Sequence, residues 1–113
     1  MDFYNKNIGV VAGGDYTDKK ANIKTIALTL DGGNTWKTIN PTDSPGYSSC
    51  VQFMPHSNGN TIVAISNIGL SISKDFGKSW ETFPEIKGYY TIRFIDEKRA
   101  WLAGQEKISL VSF

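Results

Sequence analysis

A repeated eight-residue segment constrains the fold of this 113-residue chain more than any other feature. The first copy, residues 29–36, reads Thr-Leu-Asp-Gly-Gly-Asn-Thr-Trp, and the second copy, residues 73–80, reads Ser-Lys-Asp-Phe-Gly-Lys-Ser-Trp. A hydroxyl residue, an aspartate, a glycine, a second hydroxyl residue and a tryptophan match, and Trp80 follows Trp36 by 44 residues. A period of this length indicates a protein built from stacked supersecondary units.

The flanks of the two octets repeat as well. Phe3, Phe53 and Phe94 each precede a short apolar segment that contains an alanine, at residues 11–13, 63–65 and 102–104. The distance from the phenylalanine to the aspartate is 28 residues in the first unit and 22 in the second, and the surplus falls in residues 15–24, which we interpret as a polar loop. Counting 22 residues from Phe94 passes the last residue, so the third unit is expected to stop before its aspartate.

The second unit shows the clearest strand pattern. Short apolar or alternating runs bounded by turn residues predict strands at about 47–54, 61–66, 69–74 and 79–83. No segment has sustained helical spacing, and residues 41–49, rich in proline, serine and glycine, are interpreted as the link between units. The sequence therefore predicts an all-β chain with four short strands in each repeat.

The octet residues suit a tight hairpin turn. Gly33 and Gly77 tolerate the positive φ that such a turn needs, and Asp31 and Asp75 can accept hydrogen bonds from its backbone N–H groups. The two tryptophans are expected to be buried between neighbouring strands. Ten residues receive this structural role: Thr29, Asp31, Gly33, Thr35, Trp36, Ser73, Asp75, Gly77, Ser79 and Trp80. We interpret the aspartates as turn staples rather than catalytic acids, because several backbone donors lower the pKa of a carboxyl group.

At these octets the sequence resembles the Asp-box, or bacterial neuraminidase repeat, family of β-propellers, which includes sialidases, xyloglucanases, sortilin-type receptors and photosystem II stability and assembly factors. Residues 3–16 and 30–36 look most like the assembly-factor branch and its bacterial relatives, often labelled oxidoreductases. The resemblance implies about two and a half four-stranded antiparallel blades of a sialidase-like propeller with about six to eight blades. The blades would cover about 1–42, 47–85 and 89–113, and the parent protein would be bacterial and periplasmic or secreted.

Composition excludes several classes of function. Twelve Lys and Arg against eleven Asp and Glu give a formal net charge of +1, which does not favour nucleic acid as a partner. Apolar runs are only strand-sized, so no membrane insertion is expected, and no signal peptide is recognisable. Cys50 and His56 are the single residues of their types, which excludes an intrachain disulfide and predicts no zinc site. We predict no cofactor and no metal.

The chain contains too few of the residues that a sialidase-type active site would need. Resemblance to sialidases would imply three arginines, a tyrosine activated by a glutamate, and an aspartate, whereas the chain contains two arginines, Arg93 and Arg99. Four further residues could supply part of such a site, and they are Tyr89, Tyr90, Asp96 and Glu97. We expect the two tyrosines to lie at the start of a strand and the acidic pair to lie in a charged hairpin turn. The Asp15 and Asp18 pair is interpreted as a solvated loop rather than a metal site. The oxidoreductase label has no support, because the chain lacks a glycine-rich dinucleotide loop.

Two hypotheses of function follow. The first is a non-catalytic propeller segment for protein binding or assembly, with blade loops at residues 14–24 and 40–49 as candidate contact regions. The second is a part of a sialidase-like or other glycoside hydrolase whose catalytic residues lie outside this chain. Since propellers close into rings, we expect a fragment, or a chain that self-associates through its exposed blade edges. A glycan partner has no support in these residues.

Overall fold

The computed structural model describes residues 1–12, 26–39, 48–66 and 68–113. These residues contain strands and turns and no helix. Eleven strands are found in them: β1 (Asp2–Phe3), β2 (Gly9–Ala12), β3 (Ile26–Thr29), β4 (Lys37–Ile39), β5 (Ser48–Phe53), β6 (Ile62–Ser66), β7 (Gly69–Ser73), β8 (Glu81–Phe83), β9 (Tyr89–Phe94), β10 (Arg99–Gly104) and β11 (Lys107–Ser112). The predicted loop at residues 15–24 and most of the link at residues 41–49 lie outside the described residues.

The strands form three antiparallel sheets in which every strand pairs with its neighbour in sequence. Sheet I has the order β1-β2-β3-β4, sheet II has the order β5-β6-β7-β8, and sheet III has the order β9-β10-β11. The four strands of sheet II agree with the predicted ones to within two residues at each end, since turns rich in glycine and asparagine separate short apolar runs. This order of consecutive antiparallel strands is the up-and-down arrangement of a propeller blade.

Sheet II lies between the other two sheets. One apolar cluster joins sheets I and II, and its buried members are Val10, Ile26, Leu28, Val51, Phe53, Ile62, Ala64 and Trp80. A second cluster joins sheets II and III, and its buried members are Val63, Ile65, Leu70, Ile72, Ile92, Ala100 and Leu102. Every residue of β6 and β7 is therefore buried, because both faces of these strands are covered.

The first strands of the three sheets lie side by side. Strand β5 contacts both β1 and β9, and side chains of one strand bond the backbone of the next. The Asp2 carboxylate accepts a hydrogen bond from Phe53 N at 2.8 Å, and the Gln52 amide oxygen accepts one from Phe94 N at 2.8 Å. These bonds fix the register between neighbouring sheets at Phe53 and Phe94, two of the three phenylalanines that recur in the sequence repeat.

Candidate functional site

The two octet turns make the same set of hydrogen bonds. In the first turn the Asp31 carboxylate accepts bonds from Thr29 Oγ1 at 2.8 Å, Thr35 N at 2.9 Å and Thr35 Oγ1 at 2.5 Å. The Thr29 hydroxyl oxygen in turn accepts a bond from Gly33 N at 3.0 Å. The carboxylate thus ties together the two arms of the hairpin.

The second turn repeats this pattern on equivalent atoms. The Asp75 carboxylate accepts bonds from Ser73 Oγ at 2.8 Å, Ser79 N at 2.9 Å and Ser79 Oγ at 2.5 Å. Ser73 Oγ accepts a bond from Gly77 N at 2.8 Å. The repetition shows that the matching residues of the two octets make the same hydrogen bonds within their hairpin turns.

These bonds lower the pKa of both carboxyl groups. The hydroxyl of Thr35 is the largest cause for Asp31, and the hydroxyl of Ser79 is the largest cause for Asp75; each pKa falls from 3.8 to about 2. Both side chains are ionised at neutral pH and have no proton to donate, although they lie at the surface. This chemistry suits a turn staple and not a general acid.

The two tryptophans differ in their surroundings. Trp80 is 6% exposed in the core between sheets I and II, and its Nε1 donates a hydrogen bond to Gly77 O at 3.0 Å. Trp36 is 38% exposed and contacts Phe3 edge-on, with ring centroids 6.1 Å apart. The expectation that both rings are buried is therefore wrong for Trp36, because no sheet within the described residues packs against that face of sheet I.

The lowered pKa values predict an acid-dependent loss of stability. A group whose folded pKa lies below its unfolded pKa stabilises the fold fully above the unfolded value, here 3.8, and this contribution is lost as the pH falls towards about 2. Denaturant unfolding measured at several pH values should show a weaker dependence in this window for the Asp31→Asn, Asp75→Asn double variant. Glu97→Gln, which removes an exposed carboxylate outside both turns, is the control. Equal pH dependence of the double variant and the natural sequence would contradict the assignment.

The residues considered for partial catalysis do not converge. Asp96 accepts bonds from Lys98 N at 2.9 Å and Arg99 N at 2.8 Å, and its carboxylate forms a 2.8 Å ion pair with Arg99. The backbone N–H of Lys98 is the largest cause of its lowered pKa. Tyr89 begins β9 at the other end of the strand, where its hydroxyl bonds to Ser109 Oγ at 2.5 Å. The tyrosine and the acidic turn are thus separated by the length of β9.

The first strands of the three sheets line a concave surface that the sequence analysis missed. This inner concavity is formed by Met1, Asp2, Ser49, Cys50, Val51, Gln52, Tyr90, Thr91 and Arg93. Ser49 Oγ donates a hydrogen bond to Tyr90 O at 2.8 Å, which joins β5 to β9. Arg93 Nη1 donates to Ile92 O at 2.8 Å and lies 3.7 Å from Cys50 Sγ. The side chain of Tyr90 is 57% exposed at the rim.

A signal for this surface was present in the sequence. The three repeated phenylalanines, at positions 3, 53 and 94, are each preceded by a polar residue, namely Asp2, Gln52 and Arg93. These polar residues occupy equivalent places in the first strand of each sheet. An alignment of the three repeats on their phenylalanines therefore predicts that the three polar side chains lie near one another. The grouping of Ser49 and Tyr90 could not be found in that way, since it depends on how neighbouring sheets pack.

The part of the chain that the structure describes contains neither a metal-binding cluster nor a membrane-spanning helix. That part contains no group of three or more His, Cys, Asp or Glu residues arranged to hold a metal ion. Asp15 and Asp18 fall outside it. Among the same residues, none forms a helix with the length and apolar character needed to cross a membrane. His56, in the turn after β5, is exposed.

Comparison with known proteins shows the fold. The sequence matches no protein-family model. It matches no curated protein sequence either. Among solved structures it is similar to YCF48 bound to a D1 peptide, with 18% identity and a TM-score of 0.69, over 97% of this chain and 34% of that chain.

A second similar structure is that of an ancestral GH74 enzyme, with 18% identity and a TM-score of 0.56, over 97% of this chain and 19% of that chain. The chain thus spans about a third of the first structure and a fifth of the second. Both are β-propeller proteins, and the prediction of an all-β propeller segment is confirmed.

Proposed function

We propose that this chain is a non-catalytic segment of an Asp-box β-propeller that binds a protein partner at the inner concavity. The Asp-box assignment is supported by the equivalent hydrogen bonds of the two octet turns, in which Asp31 and Asp75 play the same part. In this proposal the blades cover about residues 1–42, 47–85 and 89–113, and the ten octet residues hold their outer hairpins.

The observation that carries the proposal is the chemistry of the inner concavity. Three strands from three sheets meet there, and they present an exposed aromatic side chain, Tyr90, and an exposed guanidinium, Arg93. Tyrosine and arginine are among the residues that contribute most to protein interfaces. By contrast, the carboxylates of Asp31, Asp75 and Asp96 are each held by donors in turns, which lowers their pKa values and removes them as acid catalysts.

The Arg93 guanidinium determines which kind of peptide would bind at the inner concavity. Arginine carries five N–H donors in a planar fork and no acceptor, and it pairs best with a carboxylate. The backbone oxygen of Ile92 accepts from Nη1, which holds the guanidinium at the edge of β9. We therefore propose an extended peptide with an acidic side chain or a terminal carboxylate as the bound segment. The similar fold of YCF48, solved with a D1 peptide, supports a peptide as the class of ligand.

Selection of short peptides from a phage-displayed library by the purified chain tests the proposal. Enriched peptides should bind with affinities measurable by calorimetry, and Arg93→Ala should weaken binding at least about tenfold because a charge-assisted hydrogen bond is lost. Lys78→Ala, which removes one positive charge in the second octet turn, is the matched control and should bind normally.

Two results would contradict this function. The first is equal peptide binding by Arg93→Ala and Lys78→Ala. The second is turnover of a fluorogenic sialoside or of plant glucans by the purified chain, which would favour the alternative that the chain is part of a glycoside hydrolase. That alternative is supported by the similarity to an ancestral GH74 enzyme, and it requires catalytic residues outside this chain.

A further inference from the structure

The outward face of sheet III exposes an apolar group that is flanked on the same face by Arg93 and Arg99. The members of this group are Trp101, Ala103, Ile108 and Leu110, named here the sheet III open face. Trp101 pairs with Leu110 and Ala103 pairs with Ile108 across β10 and β11. Trp101 is 48% exposed, Ile108 72% and Leu110 48%. A contiguous apolar group of this kind on a protein surface indicates an interaction site.

The internal repeat shows what covers this face. The same register positions are Val10, Ala12, Ile26 and Leu28 in sheet I, and Val63, Ile65, Leu70 and Ile72 in sheet II. In sheet I they pack against sheet II, and in sheet II they pack against sheet III. The second set is at most 8% exposed. Each earlier copy of the face is thus buried by the next sheet, and the natural occupant of the sheet III open face is another sheet of the same type.

The chain itself carries the surface that such an interface needs. In sheet II the residues that pack against the preceding sheet include Phe53, Ile62, Ala64 and Trp80. The pairing of Phe3 with Gly9, like that of Phe53 with Ile62, places Phe3, Gly9, Val11 and Trp36 at the same positions of sheet I. We name this set the sheet I open face. Phe3 and Trp36 are each 38% exposed, and Val11 is 36% exposed.

Both open faces carry exposed aromatic side chains. Trp101 is larger than Val10 and Val63, which occupy its position in the other sheets. Gly9 is smaller than Ile62, which occupies its position in sheet II, and the Phe3 ring of the same chain lies over Gly9 and fills that space. Trp101 on one face and Phe3 and Trp36 on the other thus offer large apolar rings for contact. The formal net charge of +1 also leaves little repulsion between copies.

We propose that the sheet III open face binds the sheet I open face of a second copy of this chain. The contact is head-to-tail, and such contacts form a closed ring when the rotation between copies allows it. The described residues of each copy form three sheets, so those of two copies form six, within the range of about four to eight blades in closed propellers. This inference goes beyond the proposed peptide binding and does not depend on it.

One polar position sets the strength of this contact. Within the chain, Asp2 and Gln52 accept hydrogen bonds from the backbone N–H of the phenylalanine in the next sheet. Arg93 occupies the equivalent place in sheet III and has no acceptor to offer to Phe3 of the second copy. The contact between copies is therefore weaker than the two internal ones, and Arg93→Gln should tighten it.

Sedimentation equilibrium of the purified chain over a range of concentrations tests the proposal. The natural sequence should reach the mass of two chains, and Leu110→Lys and Val11→Lys should each weaken association at least about tenfold, because each places a lysine charge in the contact. Both positions are exposed in the single chain, so the variants should keep the fold, which circular dichroism can verify. Leu30→Lys, at a position 68% exposed in the first octet turn and outside both open faces, should associate normally.

The association of these variants distinguishes the proposed head-to-tail contact from its alternatives. Loss of association in both Leu110→Lys and Val11→Lys, with tightening in Arg93→Gln, supports the proposal. A chain that remains a monomer at high concentration overturns it. Association that Leu110→Lys removes and Val11→Lys leaves intact also overturns it, since the sheet III open faces would then pair with each other. These results do not depend on peptide binding, so failure here leaves the proposed function untouched.

Discussion

Replacing Trp80 with alanine is expected to lower the free energy of unfolding by about 3–5 kcal/mol, the usual cost of truncating a buried aromatic side chain. The Trp80 ring is 6% exposed between sheets I and II, and its Nε1 bonds to Gly77 O. The substitution removes that bond and leaves a cavity in the apolar cluster that joins sheets I and II. Denaturant unfolding followed by circular dichroism measures the loss, provided that the slope of the transition stays constant.

Trp36→Ala is the matched control, since Trp36 ends the equivalent octet. The ring is 38% exposed and packs edge-on against Phe3, so we expect a smaller loss of about 1–2 kcal/mol. Both variants must be compared at a concentration at which the chain is monomeric, because the proposed contact between copies would bury Trp36 further. Equal losses of stability at the two positions would show that the octet turn, and not the packing of a neighbouring sheet, determines how much each tryptophan contributes to the free energy of unfolding.

Replacing Gly69 with alanine is expected to destabilise the chain by about 3 kcal/mol, from backbone strain and a steric overlap that no side-chain movement relieves. The glycine begins β7 with a φ of 136°, a conformation that other residues rarely adopt. A Cβ at this place would overlap Phe83 O and would lie 2.9 Å from Pro84 Cα. Both obstacles are backbone atoms, one in the last residue of β8 and one in the residue that follows it, so β7 and β8 would have to separate.

Ile68→Ala is the control for this turn. Ile68 precedes Gly69, is 41% exposed and can be truncated without altering the backbone, so we expect a loss below about 1 kcal/mol. Thermal unfolding of the two variants and the natural sequence would measure the difference. A melting temperature for Gly69→Ala that matches that of Ile68→Ala would show that the turn adapts easily, which would contradict the argument from close approach.

Neighbouring sheets also explain a backbone feature that the octet pattern hides. Phe76 has a φ of 58°, and it occupies the place that Gly32, with a φ of 74°, holds in the first octet. Both residues donate a backbone hydrogen bond to the turn between the first two strands of their sheet, Gly32 to Asn7 O and Phe76 to Asn60 O. The Phe76 side chain packs against the core that joins sheets I and II, and this packing offsets the cost of its positive φ.

The local structure could be predicted from the amino-acid sequence. The strands of sheet II and the two octet turns follow from the alternation of apolar residues, from glycine at Gly33 and Gly77, and from carboxylates that reach backbone N–H groups a few residues away. Each of these features depends on residues close together in the chain. The all-β propeller fold could therefore be predicted, because a repeated unit carries its own hydrogen bonds.

Which of the repeated features are buried and which are exposed depends on how the sheets pack against one another. Trp36 and Trp80 have equivalent neighbours in sequence, yet among the residues that the structure describes a second sheet packs against Trp80 and none packs against Trp36. The inner concavity, which brings Tyr90 beside Ser49, arises in the same way from residues about 40 positions apart. Burial is a property of the surfaces that meet, and the pairing of surfaces distant in sequence leaves no periodic signal along the chain.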